Sequence, residues 1–141
     1  MASPWNKRPA GNSGSAYALN VSAFDSAENL AQALVGSGVT ISNVTYTGAT
    51  AASGYFADGS ASGLDIDTGI LRTSGYASNV DGLANTSGSI TGDNGLAGDS
   101  DLDSLIPGYS TYDATVLEFD FVSAGDAACF SYLFGSEEDN E

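Results

Sequence analysis

The chain has 141 residues, enough for one domain with a core of its own, and a hydrophobic content of 42% with a mean hydropathy of −0.04 fits a folded protein. Its 18 acids face only Lys7, Arg8 and Arg72, for a formal net charge of −15, which excludes nucleic acid as a partner because that binding needs clustered cations, and disfavours anionic membrane surfaces. The absence of histidine removes Ser-His-Asp catalysis and His-built zinc sites.

Residues 1–16 read as a polar arm rich in Gly, Ser and Asn, either flexible or partner-binding. In the partner-binding case Trp5, the only Trp, is its anchor against a neighbouring subunit. No continuous apolar run follows Lys7 and Arg8, so no signal peptide is read here, and no stretch has the ~18 to 20 apolar residues that span a bilayer. Lys7 is the single lysine, which leaves an internal Lys–Asn crosslink no other donor. Residues 17–141 read as the folded domain.

"YALNVSAF" is expected to form a short first strand, and "DSAENLAQALVGSG" the one good helix. Asp25 is expected as its N-cap, with Glu28 three residues on completing a capping box, and Gly36 or Gly38 as its end. Downstream everything reads as β. In "VTISNVTYTG", Val39 and Ile41 have one parity and Val44 and Tyr46 the other, which predicts a bulge at Ser42-Asn43. "SGYFADG" and "GILRTSG" are further strands. "ATVLEFDFVSAGDAACFSYLFGS" predicts a hairpin: Leu117, Phe119 and Phe121 alternate with Glu118 and Asp120, Ser123 to Asp126 turn, and Phe130, Tyr132 and Phe134 line the returning strand. Cys129, the only cysteine, is expected as a buried, inert thiol on that strand. The fold class is therefore all-β, an antiparallel β-sandwich or jelly roll with one short N-terminal helix.

The acidic stretch "TGDNGLAGDSDLDSLIPG" sets Asp93, Asn94, Asp99, Asp101 and Asp103 together with no basic residue among them. Asp99, Asp101 and Asp103 have the i, i+2, i+4 spacing that opens many calcium loops, and calcium takes about six to eight oxygens from carboxylates, amides and carbonyls. The EF-hand pattern then fails, with Ser104 at its glycine position and Ser110 at its final glutamate. The expected metal ligands for Ca2+ are Asp93, Asn94, Asp99, Asp101 and Asp103, completed by Glu137 or Glu138, which point to opposite faces of a continuing strand. Asp65 and Asp67 form a second i, i+2 pair, read as a solvated strand face. No carboxylate pair is singled out for glycoside hydrolysis, and the chain is not expected to be an enzyme.

The blocks "ALVGSGVTISNVTYTG", "SGLDIDTGILRTSG", "GDSDLDSLI", "YDATVLEFDFVSAGD" and "FSYLFGSEEDNE" occur in that order. Together, over residues 29 to 141, they closely resemble the choice-of-anchor L domain of bacterial surface and secreted proteins. The resemblance implies a β-rich module, extracellular or at the cell surface. Family members usually carry an aromatic residue after the Glu-Glu pair and continue into further strands. Asp139 stands there in this chain, which ends at Glu141. A sheet short of its last strands has an unpaired edge, a site for strand addition from another chain.

The function expected from these features is that of an extracellular structural protein, a self-assembling filament or matrix subunit stabilised by calcium. Its expected partners are further copies joined by strand addition into a homo-oligomer or polymer. The alternative is a monomeric carbohydrate-binding or adhesion module for extracellular glycans, using Tyr46, Tyr55, Tyr76, Tyr109 and Tyr112. The sequons at Asn20, Asn43 and Asn85 permit glycosylation without discriminating between the two.

Overall fold

A computed structural model of the chain describes residues 19–81 and 90–135. The order is β1 (Asn20–Ala23), α1 (Ala27–Leu34), β2 (Val39–Thr47), β3 (Ser53–Ala57), α2 (Gly59–Ser62), β4 (Gly69–Arg72), α3 (Ser100–Leu105) and β5 (Val116–Ser123), with 3-10 turns at Thr50–Ala52 and Ala77–Val80. The strands form two antiparallel sheets, β1-β3-β4 and β2-β5. The all-β expectation is met at that level, with more short helices than the single one expected.

In the first sheet, Val21 faces Phe56, Ala23 faces Gly54 and Tyr55 faces Ile70. In the second, Ile41 faces Phe121 and Tyr46 faces Leu117. The register of that pair shifts between Ser42 and Thr45, where Asn43 adopts a left-handed φ of 52°. This is the bulge that the parity switch predicts. Asn is among the few residues that take this conformation cheaply, and Asn43 Nδ2 fixes the bulge by donating to Asp120 Oδ2 at 2.6 Å.

Helix α1 joins the sheets by packing against β2, β4 and β5. Its fully buried Leu30 and Ala31 form the centre of a small core with Leu19, Ala52 and Ala77. Burying a leucine completely contributes about 1.5–3 kcal/mol, so Leu30 outweighs its alanine neighbours. Between the sheets, Tyr46 stacks at a tilt on Phe24, centroids 4.8 Å apart. Its hydroxyl donates to Ala49 O at 2.6 Å and meets Ser53 Oγ at 2.9 Å. Thr115 Oγ1 donates to Thr73 O at 2.9 Å, tying the entrance of β5 to the end of β4.

The N-cap of α1 is Ser26, whose Oγ accepts the Asn29 N–H at 3.1 Å. Asp25, the expected cap, is drawn instead to the first sheet. It accepts the Tyr55 hydroxyl, the Ser26 N–H at 2.6 Å and Asn29 Nδ2 at 2.7 Å. Asp65 and Asp67 do not lie on a strand; the Asp67 carboxylate accepts the Ser60 N–H at 3.2 Å at the start of α2.

The expected hairpin closes only on its first arm. Leu117 and Phe119 are half-buried while Glu118 and Asp120 are exposed, as the alternation predicts, but Phe121, expected on the same buried face, is 53% exposed. Residues 127–135 take no regular structure and are exposed throughout, with Phe130 at 81% and Phe134 at 82%. Cys129 is correspondingly exposed and not buried. The pattern Phe130, Tyr132, Phe134 suits a pleated surface with one apolar side, but among the described residues no second layer covers that side, and burial is what stabilises such a strand.

Candidate functional site

The acid-rich stretch folds into a platform built by its own carboxylates. Asp99 caps α3, its Oδ1 accepting the N–H groups of Asp101 at 2.9 Å and Leu102 at 3.1 Å. Asp103 reaches back from α3 to Thr111, accepting both its N–H at 2.6 Å and its hydroxyl at 2.7 Å. Asp93 Oδ1 accepts the Gly95 N–H at 2.7 Å. Asn94 turns the other way and donates through Nδ2 to Ser74 O and Gly75 O, both at 2.9 Å. Asp101 stays exposed on α3. Glu137 and Glu138 lie outside the described residues.

The residue that organises this loop is Asp113, which sequence reasoning missed. It sits at a left-handed φ of 51° and grips the loop with both oxygens: Oδ1 accepts the Leu96 N–H at 2.6 Å and Oδ2 the Asn94 N–H at 3.0 Å. An isolated bridge between Ala97 and Tyr112 continues the contact. An aspartate, a residue type that tolerates the left-handed region, immediately ahead of a strong strand was the available signal. Two glycines permit the close passage of backbone. A Cβ on Gly75 would stand 1.9 Å from Thr91 O, and one on Gly98 2.0 Å from Thr111 O.

These contacts explain how so many acids share one loop. Hydrogen bonds from N–H and O–H groups favour the charged form of a carboxyl. The Thr111 hydroxyl and then its N–H hold Asp103 below the usual carboxylate range. The Leu96 and Asn94 N–H groups do the same for Asp113, against which the Asp93 side chain also lies. The charges of Asp93, Asp99, Asp103 and Asp113 are answered by nearby N–H groups, and that of Asp103 by the Thr111 hydroxyl as well, not by cationic side chains.

An open cleft of about 610 Å³ borders the platform, lined by Ser74, Thr91, Asp93, Leu96, Tyr112 and Asp113 among others. Of the five expected metal ligands within the described residues, Asp99 and Asp103 meet at Thr111, since Thr111 Oγ1 also lies 3.3 Å from Asp99 O. Asp93 goes to the cleft, Asn94 to the 74–75 backbone and Asp101 to solvent. Among the described residues, no three or more acidic or cysteine side chains group as a metal centre. Of the tyrosines, Tyr46 and Tyr55 are half-buried with engaged hydroxyls. Tyr76 donates to Asp93 O at 2.9 Å, and Tyr109 and Tyr112 are exposed.

Among the described residues no helix is long and apolar enough to cross a membrane. Neither the curated proteins nor the solved structures gave a match to the chain. The sequence pattern of the choice-of-anchor L domain, a family associated with bacterial surface proteins, matches residues 20–141. With the five ordered blocks lying within that span, the chain belongs to the choice-of-anchor L domain family.

Proposed function

We propose that this surface-associated module is an extracellular structural subunit whose copies join by β-strand addition, completing the two sheets into a sandwich. The observation that carries this reading is the exposed segment 127–135, with Phe130, Tyr132 and Phe134 in strand alternation, next to a sheet in which, among the described residues, β5 pairs only with β2. A two-stranded sheet is marginal in water, and three or more strands with a covered face are needed for stability. A strand supplied by another copy meets both needs, since it pairs the outer edge of β5 and buries its own aromatic face.

Calcium enters the proposal as an ion held by the acidic surface and shared between copies, supported by the net charge of −15 and by the exposed Asp101. The chain is proposed to have no catalytic role. Glycan binding by a single copy is the second reading, favoured by exposed Tyr112 beside Asp93 and Asp113 in the open cleft.

The test is light scattering on a size-exclusion column over a range of protein concentrations, for the chain and for a Phe130→Ser/Phe134→Ser variant. Growth of larger species by the parent chain and its loss in the variant support the proposal. A parent chain that stays monomeric at every concentration overturns it.

A further inference from the structure

The charges of this chain are divided by position. All 18 acids come after residue 18, whereas Lys7 and Arg8, two of the three cations, come before it together with the only tryptophan, Trp5. Within the described residues, α3 and the turn after it present Leu102, Leu105, Ile106 and Tyr109 to solvent, Leu105 at 76% and Tyr109 at 78% exposure. The turn is held by the Tyr109 N–H on Ile106 O at 3.0 Å. Leu102 and Leu105 are three apart on the helix and share a side, and Asp101 stands four residues before Leu105 on that side. Asp103 is directed away, to Thr111. The result is an apolar face with a carboxylate at its margin, of the kind that marks a docking site on a soluble protein.

We infer that this face is covered by the chain's own N-terminal arm, with the Trp5 ring on Leu102, Leu105 and Tyr109 and Lys7 or Arg8 beside Asp101. A tryptophan supplies a large apolar area from one side chain, and the arm's cations complement a surface that holds no cation except Arg72. Residues 9–18 extend to at most about 35 Å. The 3-10 turn at Ala77–Val80, which packs on β1, is linked through Tyr76–Thr91, Asn94 and Asp113 to the platform that carries α3. A tether of this length gives the arm an effective concentration in the millimolar range, which favours the chain's own arm over that of a second copy in dilute solution.

Trp5 makes the test direct, because all tryptophan emission comes from the arm. Emission and acrylamide quenching are measured on the full chain, on a Leu105→Ser variant and on a Lys7→Glu/Arg8→Glu variant, at several protein concentrations and salt levels. The inference expects the parent chain to emit at shorter wavelength and to be quenched less than the urea-unfolded chain, independently of protein concentration. Leu105→Ser abolishes the shift while far-UV circular dichroism stays unchanged, since Leu105 is no part of the core. The charge-reversal variant weakens the shift, most visibly at low salt. A parent chain whose Trp5 emits as in the unfolded state, or a shift that survives Leu105→Ser, overturns the inference. A shift that grows with protein concentration overturns it too, and assigns the face to a second copy.

Discussion

Asp103 and Thr111 are joined twice, the same carboxylate oxygen accepting the Thr111 N–H at 2.6 Å and the Thr111 hydroxyl at 2.7 Å. The pair closes the loop that leaves α3, and both bonds are strongest when the carboxylate is ionised. Asp103→Ala is therefore expected to lower the melting temperature measurably. Asp103→Asn, which keeps an acceptor oxygen, is expected to fall between the two, as thermal unfolding followed by circular dichroism will check.

Acid sensitivity follows from the same groups. The carboxyls of Asp25, Asp103 and Asp113 are all lowered from 3.8 in the folded chain, Asp25 chiefly by the Tyr55 hydroxyl. A lowered folded value means that the unfolded chain takes up its proton first. The stabilisation is complete above the unfolded value and is lost as pH falls through the folded ones. Urea midpoints are expected to hold steady down to about pH 4 and to drop below it, with a shallower drop in Asp103→Asn.

At the alkaline end the relevant group is Tyr55, whose hydroxyl is pushed up to about 12 by burial and by its bond to Asp25. A raised value stabilises the fold fully below the ordinary tyrosine value of 10.0 and loses that contribution as pH climbs towards the folded value. Tyr55→Phe is expected to cost about 1 kcal/mol at neutral pH and to flatten the alkaline limb of stability against pH.

Leu30 is the largest fully buried side chain among the described residues. Leu30→Ala is expected to destabilise by about 2–5 kcal/mol, as cavity-forming substitutions do. In a core otherwise made of Leu19 and three alanines among the described residues, that loss takes a large part of the ~5–15 kcal/mol on which a domain stands. Chemical denaturation will measure it.

Gly98→Ala places a methyl group 2.0 Å from Thr111 O, so the two backbone segments must separate. The expected cost is about 1–3 kcal/mol, that of overpacking. Gly36→Ala, whose Cβ meets nothing within 4 Å, is the control and is expected to be close to neutral.

Calcium is checked by melting the chain in excess calcium and in excess EDTA. The proposal expects a higher melting temperature with calcium and a smaller rise in Asp101→Ala. Asp101 is the informative position because, unlike Asp99 and Asp103, its carboxylate accepts no hydrogen bond within the platform, so replacing it leaves the platform's own bonds in place.

Local pattern was legible where one strand or helix decides its own shape. The parity switch of Val39-Ile41 against Val44-Tyr46 located the bulge, and the apolar stripe containing Leu30 located α1. Reading failed where the deciding partner is distant in sequence. Asp25 has two competing uses, and only the fold reveals that Tyr55, thirty residues away, takes it from the cap and leaves that place to Ser26. Phe130, Tyr132 and Phe134 have strand alternation, yet alternation supplies no opposite layer. The acid spacing at 99, 101 and 103 also fits a capped helix, because an N-cap with acids in the first turn suits the helix dipole. Asp113 was hidden for a simpler reason: its partners are main-chain N–H groups, which every residue carries.

The bulge at Asn43 has a consequence for motion along the strands. A ladder of two strands with small and polar positions such as Thr40, Ser42, Thr45 and Thr47 could slide by two residues without exchanging its faces. The extra residue at 43, anchored to Asp120, works as a notch: any slide would carry the left-handed turn opposite regular backbone and strip both groups of their bond. β5 therefore keeps one phase relative to β2, and a strand arriving at its outer edge meets a template whose offset has already been chosen.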